Sequence, residues 1–586
     1  MSANVPPSLF LLSGALLIPY LKGHIRNWYT IILPAVTFYI IWQLDIGTAW
    51  HLSFFDREII LLRVDKLSKV FGYIFTLNAF AAFVYAYYLK DPSQHIAAVT
   101  YMGSALGVVF AGDLISLYFF WEMMAIASTF LILARQTQKS LNAGMRYILV
   151  HISGGLCLLA GIMLHISQTG SIEFYAMNDR NWGTYLILIG FLVNAAAPPF
   201  SAWLPDAYPE ATVTGGVILS AYTTKTAVYT LIRGFPAWEI LIWIGCIMTI
   251  YGIIYALLEN DMRRILAYSI INQVGFMITG IGIGTMMSLN GCVAHAFCHI
   301  IYKALLWMSA GSVLYMTGKS RCTDLGGLYK TMPRTLLFGI IGAMSISAFP
   351  GTSGFTSKSL IVEGALHEHL VWVWLVLEIA SAGVFLHAGI KFPYFVFFAE
   401  DKGLRPGETN RTMRCAMGFM SFLCIFLGFY PQPLYALLPY PVHYQAYTLN
   451  HVVAQFQLLM FSALVFFLFL PLLKRTETIS IDTDWLYRKG LSGFMGILGS
   501  LCTRIAHACD LIFIRTLPQS LNRVVKNPLT SLVTSYLKAV CKDRAVLDRF
   551  QFHQRLEAAT FGPMGFPILL SLMLWLCLFC ILMIWG

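Results

Sequence analysis

The feature that most constrains this fold is a succession of continuous apolar runs, each about 20 residues long. An α-helix of that length crosses the hydrocarbon core of a bilayer. The runs lack the period-two alternation of a membrane β-barrel. Only 11% of the residues are charged, against roughly 25% in an ordinary soluble domain. The sequence therefore predicts an all-α polytopic membrane protein with about 14–16 transmembrane helices.

The placement of basic residues predicts the topology. Lys and Arg gather in every second loop, as at Arg263 and Arg264, whereas loop 431–451 carries no Lys, Arg, Asp or Glu. The positive-inside rule then puts the N-terminus and the end of the last span outside. The net charge of +11 follows from this topology, so no nucleic-acid partner is expected. The candidate spans are 5–21, 28–44, 67–89, 95–112, 113–134, 145–166, 185–204, 211–233, 237–258, 266–285, 290–316, 335–357, 370–398, 412–430, 452–473 and 564–585.

Charge density divides the chain into a dense membrane block and a basic extension. The extension, 474–563, carries 13 Lys or Arg against seven Asp or Glu, with apolar residues between them. This pattern fits an amphipathic helix lying along a membrane or a neighbouring subunit, or a cytoplasmic helical linker. The predicted segments are N-terminal helices 1–94, a first half 95–233, a second half 234–400, C-terminal helices 401–473, the extension 474–563 and a terminal span 564–586.

Two spans are interrupted by helix breakers. One contains Pro198 and Pro199 in VNAAAPPFSAWLPDAYPEA, and the other contains Pro350 and Gly351 in SISAFPGTSGFTSKS. Such breaks free backbone groups, which is tolerable at membrane depth only where protein or water covers them. Paired broken helices in two halves are typical of inverted-repeat transporters, with the ion site near the breaks.

Ionisable residues inside the spans are the candidate functional residues, because a charge at the bilayer centre costs a few kcal/mol or more. Glu122 lies in DLISLYFFWEMMAIASTFLI and Lys225 lies in GGVILSAYTTKTAVYTLIRG. A structural ion pair is the alternative interpretation for Glu122. Snorkelling to the interface is the alternative for Lys225, and it is difficult from mid-span.

A third group follows the sequence AHAFCHIIYKALLWMSAGSV. His295, His299 and Lys303 are spaced by four residues, which puts them on one helical face as a possible proton relay. The spacing of the histidines also fits a zinc pair, but no third ligand is evident, so no metal site is predicted. Lys358 stands beside the second break. Nucleotide-binding and catalytic-triad motifs are absent, so no cofactor and no catalytic residue are predicted.

Seven stretches in this order resemble the proton-conducting antiporter-like subunits of respiratory complex I, membrane-bound hydrogenases and Mrp-type cation/proton antiporters, especially the D-type subunit of Mrp. They are DLISLYFFWEMM, AWLPDAYPEA, KTAVYTLIR, DMRRILAYSIINQVGFM, YKALLWMSAG, DLGGLYKTMPRT and SAFPGTSGFTSKS. The resemblance implies a fold with two inverted five-helix repeats, each containing a broken helix. It also implies that Glu122 is the family's fifth-helix glutamate and Lys225 its relay lysine. It further implies that His299 and Lys303 are the central pair, and that Lys358 is the lysine of the second broken helix.

One position departs from the family pattern. The family usually has a lysine nine residues before the tryptophan of WLPD, and here that position is Asn194. Either Lys225 substitutes as the partner of Glu122, or the first half-channel is impaired.

The resemblance implies a subunit of a multisubunit monovalent cation/proton (Na⁺/H⁺ type) antiporter in a bacterial plasma membrane, with other membrane subunits, protons and Na⁺ or K⁺ as partners. The alternatives are a proton-pumping subunit of a redox complex and a non-conducting scaffold subunit.

Overall fold

The computed structural model describes residues 5–54, 56–471, 482–483, 485, 489–526, 535–540, 545, 548–549, 551–552 and 573–576. The chain divides into two compact units, 1–484 and 485–586. The second unit includes two helices, α20 (Leu491–Cys509) and α21 (Leu517–Lys526). The helices of the first unit are α1 to α19 and are given below. Most of the predicted terminal span 564–585 lies outside the described residues.

The first unit begins with two helices, a β-hairpin and a series of long helices that ends at the first break. Their bounds are α1 Pro7–Leu17, α2 Gly23–Gln43, β1 Gly47–Phe54, β2 Arg57–Val64, α3 Lys66–Tyr85, α4 Pro92–Phe110, α5 Leu114–Leu133, α6 Gln138–Thr169 and α7 Trp182–Asn194. Three short helices follow, namely α8 Trp203–Ala207, α9 Val213–Leu219 and α10 Thr223–Gly234.

The remaining helices of the first unit include the most deeply enclosed ones. Their bounds are α11 Glu239–Leu258, α12 Met262–Ile283, α13 Met286–Thr317, α14 Pro333–Ile346, α15 Ser353–His367, α16 Val371–Val384, α17 Arg411–Phe429, α18 Gln432–Leu437 and α19 Leu449–Leu468. After α16 the chain continues as a π-helical turn, Phe385–Lys391. The most apolar window of α12 is buried along its whole length, so α12 lies at the centre of the bundle.

The polytopic helical membrane fold predicted from the sequence is confirmed. Among the described residues, ten helices are long and apolar enough to cross a membrane, and three shorter apolar helices accompany them at Pro7–Tyr20, Trp182–Asn194 and Pro333–Ile346. One of the ten, Gly496–Gln519, lies in the extension that the sequence predicts to be amphipathic. Two of the three shorter helices end at the predicted breaks, because a break divides one span into two shorter helices.

Strands β1 and β2 form a β-hairpin that the all-α prediction did not include. Strands β1 and β2 pair antiparallel, with Gly47 opposite Val64. The hairpin is held to the bundle by its backbone. Ile60 N donates to the Asp113 carboxylate at 2.7 Å, and Gly112 N donates to Ile60 O at 2.8 Å. These tertiary bonds satisfy β2 backbone groups, so the short apolar run pairs as a strand instead of continuing as helix.

The two halves repeat a capping arrangement. Asp113 caps the N-terminus of α5 and Asp261 caps that of α12. Each aspartate also forms an isolated antiparallel bridge with the segment after the next long helix, Asp113 with Glu173 and Asp261 with Arg321. Equivalent caps and bridges at the same step of each half indicate that α5–α7 and α12–α14 are related structural units.

The two helix breaks also share their backbone geometry. After α7, Ala196 has a φ of 60° and its N–H donates to Val193 O at 3.1 Å. After α14, Ala348 has a φ of 56° and its N–H donates to Ser345 O at 3.1 Å. The left-handed residue ends the helix in the manner of a C-cap. Pro198 and Pro199 lie in the non-helical stretch 195–202, and Pro350 and Gly351 lie in 347–352.

Candidate functional site

The centre of the candidate site is one face of α13. His295, His299 and Lys303 are each fully buried, and the ring centroids of the two histidines lie 6.2 Å apart. Four-residue spacing on a helix accounts for this stacking along one face. The structure therefore brings these three sequence-predicted residues together inside the protein and away from lipid.

His295 is tied into a polar network with the neighbouring helix α12. Its Nε2 lies 3.0 Å from Gln273 Oε1, and its Nδ1 lies 3.2 Å from the Ser357 hydroxyl. Tyr302 donates to the same Gln273 oxygen at 3.1 Å. Across the described residues, no three His, Cys, Asp or Glu side chains converge to form a metal-binding group. His295 is therefore part of a hydrogen-bonded network in this structure.

His299 and Lys303 differ from His295 in their bonding. Neither ring nitrogen of His299 nor the Lys303 Nζ has a hydrogen-bond partner among the described residues, although all three atoms are buried. An unpaired buried polar group costs a few kcal/mol unless it finds a partner such as water. A hydrated interior at this point would satisfy all three atoms.

Lys225 approaches this centre from α10. It is fully buried, and its Nζ donates to Ser220 O at 2.6 Å and to Thr224 Oγ1 at 3.1 Å. Its charge interacts with those of His299 and Lys303, and α10 packs on α13. Snorkelling to the interface does not describe this lysine, because its ammonium group is enclosed by protein.

Lys358 marks the other end of the central group. It is 2% exposed, its Nζ donates to Ile346 O at 3.3 Å, and its charge lies 5.0 Å from the centroid of the Phe276 ring. The acceptor is the last residue of α14, so the ammonium group occupies the negative end of a broken half-helix. Lys358 also lines a cavity of about 390 Å³ together with Glu378, whose charge acts on it.

Glu122 stands apart from the central group. Its Oε1 is buried without a hydrogen-bond partner in the described part of the chain. The atom lies over α6, so close that a Cβ added at Gly155 would come within 1.8 Å of it. No ion pair joins Glu122 to Lys225 among the described residues, so the structure does not bring these two predicted residues together.

Asn194, the departure from the family pattern, has a partner on α6. Its Oδ1 lies 2.7 Å from His151 Nδ1, and both residues are 1% exposed. The imidazole is packed between Tyr147 and Trp203, with centroid distances of 4.1 and 4.6 Å. Trp203 is itself fixed by a 2.9 Å hydrogen bond from its Nε1 to Val193 O.

Arginines hold the loop after the first break. Arg146 forms a bidentate pair with Asp206 at 2.7 and 2.9 Å. Arg263, which is 1% exposed, donates to four carbonyls of this loop and stacks on Trp307 at 5.2 Å. The four acceptors are the carbonyl oxygens of Tyr208, Pro209, Ala211 and Thr212.

Sequence reasoning missed four ionisable residues near the site, of which Glu378 is half-buried and the other three are buried. They are His151, Glu378, His387 and Lys391. His387 is fully buried, and its charge interacts with those of Lys303, Lys358 and Lys391. Lys391 donates to the carbonyls that end α11, between 2.6 and 2.8 Å. The i, i+4 pair in HAGIK inside an apolar run was the available signal.

Comparison with known proteins agrees with this architecture. Residues 111–383 match the family described as NADH:quinone oxidoreductase/Mrp antiporter, TM. The A/B-type subunit of a probable K⁺/H⁺ antiporter of Rhizobium meliloti is 30% identical over 63% of this chain and 40% of its own length. The D-type subunit of the Na⁺/H⁺ antiporter of Alkalihalophilus pseudofirmus is 28% identical over 56% of this chain and 71% of its own length.

Redox complexes contain similar chains. Hydrogenase-4 component B of Escherichia coli is 26% identical over 64% of this chain and 63% of its own length. A chain in the structure of an archaeal membrane-bound sulfane sulfur reductase has the same fold, with a TM-score of 0.70 and 22% identity, covering 87% of this chain and 95% of that one.

Fold and matches together define an antiporter-like membrane subunit of the Mrp, complex I or hydrogenase type. The resemblance to antiporter-like subunits that the motifs predicted is confirmed by the family match over residues 111–383 and by these relatives. The predicted membrane location is also confirmed. The chain spans less than two thirds of the Rhizobium and Escherichia relatives.

Proposed function

We propose that this chain carries protons within a multisubunit monovalent cation/proton antiporter that exchanges Na⁺ or K⁺. The observation behind this proposal is the cluster of Lys225, His299 and Lys303, three ionisable side chains fully enclosed at the centre of the membrane bundle. Holding such groups at mid-depth costs a few kcal/mol or more each. A bundle with a purely structural role gains nothing from ionisable groups at this depth, whereas a proton route requires them.

The proposed path joins the central cluster to Lys358 and Glu378. Lys225, His299 and Lys303 lie within range of one another's charge, so the protonation states of the three groups are coupled. Lys358 and Glu378 line the 390 Å³ cavity, whose wall includes His451 and Gln455. These residues adjoin loop 431–451, which the positive-inside rule places outside. The cavity is therefore the proposed outer mouth.

The test uses the complete complex in sealed vesicles with a pH-sensitive dye inside. A pulse of Na⁺ or K⁺, without any electron donor, is expected to move protons in the opposite direction. Lys303→Met keeps the apolar stem and removes the charge, and we expect a loss of at least about tenfold, since a missing relay site interrupts the path. Lys402→Met, at an exposed ion pair with Glu400, is the matched control and is expected to transport normally.

A second candidate is a proton-pumping subunit of a redox enzyme. The similarity to hydrogenase-4 component B and the fold shared with the sulfane sulfur reductase chain favour it. The same vesicles distinguish the two functions. Proton movement that requires an electron donor and ignores Na⁺ and K⁺ would contradict the antiporter proposal and support the redox one.

A scaffold subunit would give a third result. Lys303→Met and the wild-type protein would then assemble normally and transport equally, because the buried cluster would carry no protons.

A further inference from the structure

We propose that His151 is the proton-exchanging partner of Glu122 in the first half of the chain. This inference rests on the proposed proton-carrying function. It concerns a residue that the sequence motifs do not single out, and it assigns a role to the position left by Asn194. Four observations carry it, and each is independent of the family pattern.

The first observation is proximity. Oε1 of Glu122 lies directly over Gly155 on α6, and His151 precedes Gly155 by four residues. Residues four apart on a helix are neighbours, with Cβ atoms about 6 Å apart. The carboxylate and the imidazole therefore occupy adjacent turns of one face of α6, close enough to exchange a proton through one or two water molecules.

The second observation is the orientation of the ring. Asn194 Oδ1 accepts from His151 Nδ1–H at 2.7 Å. A neutral imidazole that donates through Nδ1 has its lone pair on Nε2. His151 Nε2 is buried and has no hydrogen-bond partner among the described residues. Asn194 thus fixes the tautomer and leaves a basic nitrogen available, which is how an orienting residue prepares a histidine for proton transfer.

The third observation is the rigid packing of the ring. Tyr147 and Trp203 enclose the imidazole at centroid distances of 4.1 and 4.6 Å. Tyr147 is held by a 2.9 Å hydrogen bond with Ser128 on α5, the helix that carries Glu122. This packing links the position of the imidazole to the helix that bears the carboxylate.

The fourth observation is the internal repeat. His151 follows the capping Asp113 by 38 residues, and His299 follows the capping Asp261 by the same 38 residues. The two aspartates are equivalent in cap and bridge. His151 is therefore the first-half counterpart of the central His299, and both leave Nε2 unbonded in the described part of the chain.

A double-mutant experiment separates proton exchange from a packing role. Cation-driven proton movement is measured in vesicles for the wild-type complex, His151→Gln, Asn194→Lys and the double variant. We expect His151→Gln to lose about tenfold, because glutamine fills similar space and cannot be protonated. In the Asn194→Lys background the new lysine supplies a second protonatable group next to residue 151, so we expect the same His151→Gln change to cost less than about threefold.

Equal losses in the two backgrounds would show a packing role and overturn the inference, as would unchanged transport by His151→Gln. Rates are referred to the amount of assembled complex, and His151→Lys is the second variant if His151→Gln assembles poorly. Lysine restores a protonatable group with worse shape, so we expect it to transport within about fivefold of wild type; a loss as large as that of His151→Gln would contradict the inference. A wild-type complex that moves no protons overturns the antiporter function as well, whereas normal wild-type transport with an indifferent His151 overturns this inference alone.

Discussion

At one matched pair of helix positions, the first half of the bundle carries an acid on one helix and the second half carries a lysine on the other helix. Glu122 and Ile270 each follow the capping aspartate of their half by nine residues, and Gly155 and Lys303 each follow it by 42. The first half therefore has an acid on its first helix facing a glycine on the second. The second half has an isoleucine and a lysine at those two places. The same backbone frame holds a carboxylate in one half and an ammonium group in the other.

The two breaks differ in the segment that comes after each of them. After α7 the chain forms a loop with short helices, which Arg263 of the second half holds through four carbonyls. After α14 it enters α15 within seven residues, and Lys358 of α15 returns to the end of α14. The comparison indicates that the first break receives a stabilising arginine from the other half, whereas the lysine at the second break comes from its own half.

Removing the Arg263 clamp is expected to have the largest effect on the molecule. Arg263→Ala removes four hydrogen bonds from a charged donor to the carbonyls of this loop, and a hydrogen bond to a charged group contributes about 1.5–3 kcal/mol. We expect a loss of more than about 4 kcal/mol and little assembled complex, measured by detergent-solubilised yield and melting temperature. Arg264→Ala is the control, since Arg264 pairs with Glu259 at 2.9 Å and is 30% exposed. Similar yields for the two variants would contradict the clamp.

A methyl group at Gly155 tests the first half directly. Gly155→Ala forces the Glu122 carboxylate away from α6, because the new Cβ would lie 1.8 Å from Oε1. We expect near-normal assembly, because the displaced carboxylate can move into the polar interior. We expect transport to fall about tenfold, because the carboxylate no longer lies where proton transfer requires it. Gly418→Ala is the matched control, as its nearest neighbours are Phe338 ring atoms at 3.6 Å or more. Equal transport by both variants would separate Glu122 from the path.

The sequence predicted the helical frame because hydropathy and helix breakers act locally. The apolar runs and Pro198, Pro199, Pro350 and Gly351 needed no tertiary information. It also predicted that His295, His299 and Lys303 share a face, because they lie on one helix. The hairpin at 47–64 was missed, since its pairing depends on backbone bonds to Gly112 and Asp113.

The candidate site was only partly predictable for the same reason. His151 and Asn194 lie 43 residues apart on different helices, so no spacing rule connects them. The expectation that Lys225 might replace the missing lysine assumed that it faces Glu122, whereas it faces α13. The internal repeat was the one usable signal, because it aligns His151 with His299. The two halves are too different in sequence for this alignment to be recognised without the matching caps seen in the structure.

Tyr302 tests the polar network of the second half and should have an intermediate effect. Tyr302→Phe removes its hydrogen bond to Gln273 Oε1, worth about 1 kcal/mol. We expect a slightly lower melting temperature and transport slowed about threefold to fivefold. Tyr85→Phe is the control: its hydroxyl donates to Met308 O at 2.9 Å, also on α13 but outside the network. The same loss of stability with normal transport is expected there, and slowed transport in both variants would contradict a specific role of the network.

The smallest effect is expected at an ion pair outside both halves of the membrane core. Arg405 donates to both oxygens of Asp401 at 2.8 Å and thereby lowers the pKa of Asp401 from 3.8 to about 2. A carboxylate with a lowered pKa adds stability above its ordinary pKa and loses it as the pH falls through about 2.

Because Asp401 is exposed, solvent screens this pair, and Asp401→Asn should leave melting temperature and transport at pH 7 unchanged within error. The melting curves of the variant and the wild type should also coincide as the pH falls towards about 2, where the wild-type carboxylate loses its charge. A loss of transport at pH 7 comparable to that of Gly155→Ala would contradict the contrast between buried and exposed charges. A screened surface pair would then matter as much for transport as the groups enclosed in the two halves.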